Sequence, residues 1–145
     1  MDPIEQLLAE RACQRLLLGL VRRLDLGEQP ASVAELFTED GTWAWPERDR
    51  LVTGRDALRA HFGSRAADRR ARRLMSDVHV EVTSPDTATA TSYFTTFHVD
   101  HDRPTPGPPV GIGHYEDVLH RTPDGSWLLA RRTLHLSSSS PAPLL

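Results

Sequence analysis

The chain has 145 residues, 39% hydrophobic and 26% charged, with a formal net charge of −3 and a single cysteine. That length suits one compact domain, leaves no room for two, and the lone Cys13 excludes an internal disulfide. There is no lysine and no asparagine, so all 17 strong bases are arginines; lysine Schiff-base chemistry and N-glycosylation are excluded, and the acidic balance disfavours general nucleic-acid binding.

Apolar residues at helical spacing from Ile4 to Leu24 predict a helix from about Pro3 to Leu26, with Pro3 in its first turn and Gly27 at its stop. A short second helix is expected from Pro30 to Phe37, followed by a turn at Glu39-Asp40-Gly41 and a strand from Thr42 to Trp45, ended by Pro46. Asp49 to Thr53 reads as a short extended piece. Gly54 to about Arg65 reads as a helix with Leu58, His61 and Phe62 on one face. Arg65 to Arg73 is a polar, arginine-dense connection. From Leu74 the period becomes two, with Val78, Val80 and Val82 alternating with Asp77, His79 and Glu81. Further strands are expected over Ala88–Val99, Val110–Arg121 and Ser126–Leu136. Turns fall at Ser84-Pro85-Asp86 and Thr122-Pro123-Asp124-Gly125, and a proline-rich loop spans 100 to 109. The small, polar tail from Ser137 to Leu145 reads as disordered, leaving one domain over 1–136.

Helices first and long strands afterwards give an α+β class. The expected architecture is a cone-shaped, curved, mixed or antiparallel sheet wrapped around the N-terminal helices, with a pocket at its open end. No apolar run approaches the roughly 20 residues of a membrane span, and the acidic start MDPIEQLLAER is no signal peptide. A cytoplasmic protein with neither membrane nor nucleic-acid partners is expected.

Several segments taken together resemble one family. They are RRLDLGEQPASVAELFTEDGTWAW, TGRDALRAHF, DVHVEV, TATATSYF and GIGHYEDVLHRTPDGSWLLARR. Their order and spacing over residues 5 to 136 resemble the SnoaL-like branch of the nuclear transport factor 2-like superfamily. The layout is similar to scytalone dehydratase and hexachlorocyclohexane dehydrochlorinase. The superfamily holds dehydratases, isomerases, cyclases, epoxide hydrolases and plain binding domains, so fold leaves the reaction open.

Asp25 stands at the end of the first helix, where a carboxylate opposes the helix dipole and needs a compensating partner. The resemblance implies that it is the acid/base aspartate, pointing into the cone. Arg132 lies in the period-two row of Leu128, Ala130, Leu134 and Leu136, where an arginine is costly without a counter-charge or a polar cavity. The resemblance places an arginine five residues after the strand's tryptophan, matching Trp127 and Arg132, to orient Asp25 or to hold a substrate oxygen. Arg73 is a departure, because the family's catalytic histidine aligns with it. A guanidinium stays protonated and cannot take that proton, yet it can stabilise an enolate or alkoxide. Turned outward, Arg73 simply joins the exposed arginines.

His98 continues the Ala88, Ala90, Ser92, Phe94, Thr96 face and could transfer a proton in place of the missing histidine, or end its strand beside a solvated loop. Trp43, Phe94, Thr96 and Tyr115 match pocket positions of the family, and Leu136 is counted with the pocket wall. Asp117 shares the Tyr115 face; it offers either a salt bridge to the helix layer or, with Asp25 and Arg132, the Asp-Arg-Asp set of the superfamily's epoxide hydrolases. The HVDHD run (His98, Asp100, His101, Asp102) has metal-ligand types but no HExxH and no supporting cysteine, so no metal and no cofactor are expected. The run SRAADRRARR, with five arginines, could attract an acidic partner or lie solvated.

The expected function is cofactor-independent acid/base catalysis on a small oxygenated ring compound, as a dehydratase, isomerase or cyclase of natural-product metabolism. The alternatives are a non-catalytic small-molecule-binding protein, or an epoxide hydrolase or cyclase. A homodimer is what the resemblance implies.

Overall fold

The computed structural model describes residues 1–27, 29–64, 70–99 and 107–139. Helix α1, Pro3–Leu26, opens on a reciprocal cap: the Glu5 backbone N–H donates to Asp2 Oδ1 (2.9 Å), and the Asp2 backbone N–H donates to Glu5 Oε2 (3.0 Å). Its buried stripe is Ala9, Cys13, Leu17, Leu20 and Val21. Ile4, Leu7 and Leu8 continue the periodicity but stand exposed. Burial pushes the Cys13 thiol up to about 11. Among the described residues no helix is long and apolar enough to cross a membrane.

A 3₁₀ stretch, Pro30–Leu36, leads into β1 (Phe37–Trp45). A second 3₁₀ turn, Pro46–Arg48, leads into β2 (Arg50–Thr53) and then α2 (Arg55–Gly63). Strands β3 (Arg70–Ser84), β4 (Thr87–Val99), β5 (Gly111–Arg121) and β6 (Trp127–Ser139) complete one mixed sheet in the order β2-β1-β6-β5-β4-β3. All neighbours are antiparallel except β1 and β6, which run parallel. The helices cover one face of this sheet, and Phe37, Phe62, Phe94, Leu119 and Leu129 fill the core between the layers.

Four boundaries differ from the sequence reading. The expected turn at Glu39–Gly41 is an insertion inside β1: pairing with β6 passes from Phe37↔Leu129 to Thr42↔Arg131, so 38–41 bulge out of the ladder. A Cβ on Gly41 would lie 2.9 Å from the Phe37 Cβ, so only glycine lets the bulge close. The second helix is 3₁₀. Strand β3 begins at Arg70 rather than Leu74, because Arg72 and Arg73 find buried polar partners and the polar stretch can stay in the ladder opposite Phe97 and Thr96. Strand β6 runs on through Ser139, since its backbone pairs with Gly111 and Ile112, so residues 137–139 of the expected tail are strand; 140–145 lie outside the described residues.

Candidate functional site

A cavity lies between the helices and the sheet. Leu20 and Leu24 of α1 and Phe62 of α2 wall it on the helix side; Trp43, Arg73, Tyr115, Arg132 and Leu134 wall it from four strands. It is small, with about 20 Å³ of free volume.

Asp25, at the end of α1, is not itself a wall residue and meets the cavity through Arg73. Its carboxylate accepts from the Arg73 backbone N–H (Oδ2, 2.6 Å) and from the Arg73 guanidinium (Oδ1). The Asp25 carbonyl accepts from Arg72 Nη1 at 2.7 Å. The unfavourable end of the helix dipole is thus met by two guanidinium groups. The Asp25 and Arg73 side chains are 5% and 2% exposed. Arg73 therefore turns inward and stands where the family's histidine was expected, facing the aspartate.

Arg132 pairs elsewhere than expected. Its Nε and Nη2 donate to the two carboxylate oxygens of Asp117, each at 2.9 Å, and both side chains are buried. The cross-strand register Asp117↔Arg132 sets this fork directly. Burial opposes the charge on Arg132, but the adjacent Asp117 carboxylate outweighs it and holds the guanidinium above its usual pKa. Its Cζ also lies 3.8 Å from the centroid of the Tyr115 ring. So Arg132 orients Asp117 rather than Asp25, and the bridge of Asp117 runs to the neighbouring strand rather than to the helix layer. The Asp-Arg-Asp set is not assembled: Asp25 pairs with Arg73 and Asp117 with Arg132, and both arginines line one cavity.

Trp43 and Tyr115 are in the wall as expected. Phe94 is not in the wall but packs on Tyr115, with ring centroids 4.7 Å apart and planes tilted by 30°. Thr96 is fully buried opposite Arg73 in the ladder, and its hydroxyl has no hydrogen-bond partner among the described residues. Leu136 packs on the core but is not in the wall, where Leu134 stands. His98 is exposed at the end of β4 and lies outside the cavity wall, because the inward face of β4 runs out beyond Thr96. Asp100, His101 and Asp102, with most of the arginine-rich run, lie outside the described residues.

The row proposed for Arg132 also shifts. Pairing with β5 skips Ala130, since Val118↔Arg131 is followed by Leu119↔Leu129. Trp127 and Leu129 are buried in place of Leu128 and Ala130. Sequence reasoning overlooked Leu20, Leu24 and Phe62 as wall residues; the i, i+4 spacing of Leu20 and Leu24 one residue before Asp25 was the available signal. It also gave no role to His61, whose ring lies 4.3 Å from Trp43 and 5.0 Å from Phe62.

The pattern of the SnoaL-like domain matches residues 5–133. The chain belongs to the SnoaL-like family. No curated protein matches it significantly in sequence. Among solved structures, this SnoaL-like chain is similar to a nuclear transport factor 2-like protein with a cystatin-like fold from Novosphingobium aromaticivorans. The two share 27% identity and a TM-score of 0.75, over 93% of this chain and 86% of that one. A protein from Catenulispora acidiphila solved in complex with S-DNPA has 27% identity and a TM-score of 0.68, over 90% and 92%. A protein from N. aromaticivorans named as a candidate scytalone dehydratase has 23% identity and a TM-score of 0.80, over 99% and 94%; at that identity it speaks to the fold alone.

Proposed function

We propose that this SnoaL-like chain binds a small oxygenated ring compound in the cavity between its helices and its sheet and transforms it by proton transfer, as a dehydratase, isomerase or cyclase. The observation that carries the reading is the pair of buried guanidinium groups, Arg73 and Arg132, in one wall with aromatic Trp43 and Tyr115. A guanidinium has five N–H donors; Asp25 engages Nη1 of Arg73, and Asp117 engages Nε and Nη2 of Arg132. The donors left over serve an oxyanion that develops on the ring, inside a site where such contacts are stronger than in water. Asp25 carries the proton, and the rings of Trp43 and Tyr115 pack against the substrate. A ring compound needs several times the free volume of about 20 Å³, so its entry pushes aside apolar wall side chains such as Leu24 while the charged pairs keep their places.

A second reading is a binding protein without turnover. It is favoured by one observation: among the described residues the hydrogen-bond partners of the Asp25 side chain are both supplied by Arg73, and no imidazole joins them. The test separates the two. A panel of hydroxylated and keto ring compounds is screened for loss of water by mass and for exchange of acidic C–H positions in D₂O by NMR. Turnover that disappears in Asp25→Asn while binding persists is the expected result. Binding without conversion or exchange, unchanged in Asp25→Asn, replaces the enzyme with the binding protein.

We also infer a homodimer through the outer sheet face, where Tyr93, Ile112 and Val118 are exposed. Light scattering is expected to give twice the chain mass, and Tyr93→Glu with Val118→Glu the chain mass.

A further inference from the structure

Four side chains on the outer face of the sheet form a cluster that the interior site does not use. His114 and Glu116 come from β5, His135 from β6, and Glu47 from the 3₁₀ turn after β1. The ladder sets His114 directly opposite His135, and their rings stack with centroids 4.7 Å apart and planes 21° apart. Both Nε2 atoms face the same carboxylate oxygen: Glu116 Oε1 lies 3.5 Å from His114 Nε2 and 3.6 Å from His135 Nε2. The other ring nitrogen of His135, Nδ1, lies 3.3 Å from Glu47 Oε1. One ligand atom from each of His114, Glu116 and His135 falls within 4.8 Å of the others.

Two imidazole nitrogens and one carboxylate oxygen thus converge within reach of a single cation. Bonds of about 2.0–2.1 Å in a tetrahedral site put neighbouring ligand atoms about 3.3–3.4 Å apart. The two nitrogen-to-oxygen separations are within a few tenths of an ångström of that edge, and all three ligand atoms lie within 4.8 Å of one another. Rotation about the soft terminal torsion of each imidazole brings the nitrogens onto the ion. Glu47 then occupies the place that an outer carboxylate takes behind a metal-bound histidine, fixing its tautomer and ring orientation.

We propose that His114, Glu116 and His135 bind a divalent transition-metal ion of the zinc type, supported by Glu47. Two imidazoles with one carboxylate suit such an ion and do not suit magnesium or calcium, which prefer all-oxygen sites. In the single chain the fourth position is open to water, since Glu116 is 58% exposed and the two histidines 35% and 29%; pairing of two chains over this face, as proposed above, would cover it. Bound there, the ion ties β5, β6 and the turn after β1 together on the face opposite the interior cavity.

The test is calorimetric titration of the chelator-stripped full chain with Zn²⁺ near neutral pH, with thermal melting alongside. Expected are saturation at one Zn²⁺ per chain, a raised Tm, and weaker binding in acid as protons compete. His114→Gln and His135→Gln weaken binding by at least about tenfold, and Glu47→Gln by about tenfold although it removes no ligand. His120→Gln, an exposed histidine of β5 outside the cluster, leaves the affinity unchanged. Failure to saturate by about a hundred micromolar Zn²⁺ overturns the proposal, as does a loss in His120→Gln equal to that in His135→Gln. Should a histidine variant fail to fold, Glu116→Gln on its exposed side chain carries the same expectation of at least about a tenfold loss.

Discussion

Replacing Asp117 by alanine deprives Arg132 of both hydrogen bonds from its guanidinium to a carboxylate. The two side chains are 0% and 2% exposed, so bulk water does not screen the pair. An uncompensated charge of this kind costs about 3–5 kcal/mol, against about 0–1 kcal/mol for an exposed pair. A domain of this size is ordinarily stable by about 5–15 kcal/mol, so the variant folds with a much reduced margin. Urea denaturation reads the effect: with a slope of about 2 kcal/mol per molar, the midpoint falls by about 2 M. The double variant Asp117→Leu with Arg132→Met removes both charges and recovers most of the loss, because a buried pair is worth little against apolar residues of similar volume. A single-variant loss below about 1 kcal/mol, or a double variant no better than the single one, would refute the reasoning.

Two further outcomes bear on the frame of the site and on a turn far from it. In Gly113→Ala the new Cβ would come 2.2 Å from the His135 carbonyl oxygen and 2.8 Å from the Phe94 ring, so a loss of about 1–3 kcal/mol is expected in chemical denaturation. Gly19→Ala, in α1 with nothing within 4 Å, should instead gain about 0.5–1 kcal/mol, and equal effects from the two substitutions would contradict the packing argument. Hydrogen bonds from the Ser126 and Thr122 hydroxyls and from the Ser126 backbone hold the Asp124 carboxyl down at about 2, below its ordinary 3.8. A depressed folded-state value stabilises above the unfolded value and ceases to do so as pH falls through the folded one. Asp124→Ala should therefore lower the denaturation midpoint above about pH 4, with the difference closing toward about pH 2; a gap that persists in acid would contradict it.

Elements with a strong local signal were legible in the residues. Pro3, the 3.6 period and Gly27 mark α1, and alternating valines mark β3. The α+β class followed from their order. Register was harder to read. The extra residue at Ala130 turns the first part of β6 over, and a period-two count through it assigns Leu128 and Ala130 to the wrong face. Which carboxylate meets which guanidinium is likewise a matter of cross-strand register, so Asp117 could be read as a candidate but not as the partner of Arg132. Asp25 and Arg73 could be named separately, since each is anomalous where it stands; that they meet depends on α1 crossing the start of β3. The outer cluster gave no signal at all, because His114, Glu116 and His135 look like the solvated residues of two ordinary strands until the ladder sets them side by side.

The parallel contact between β1 and β6 joins the first strand of the sheet to the last. On a ribosome, every helix and five of the six strands among the described residues emerge before the strand that belongs in the middle of the sheet. Until then β1 has a ladder partner on one side only, β5 ends in an open edge, and Asp117 has no guanidinium beside it. Closing the loop from Thr42 to Arg131, well over half of the chain, costs entropy that only this last pairing recovers, which makes for slow folding and a nascent chain with two sticky edges. Loss of β6 at the C-terminus therefore does more than shorten one strand: it leaves two half-sheets that have no reason to stay together.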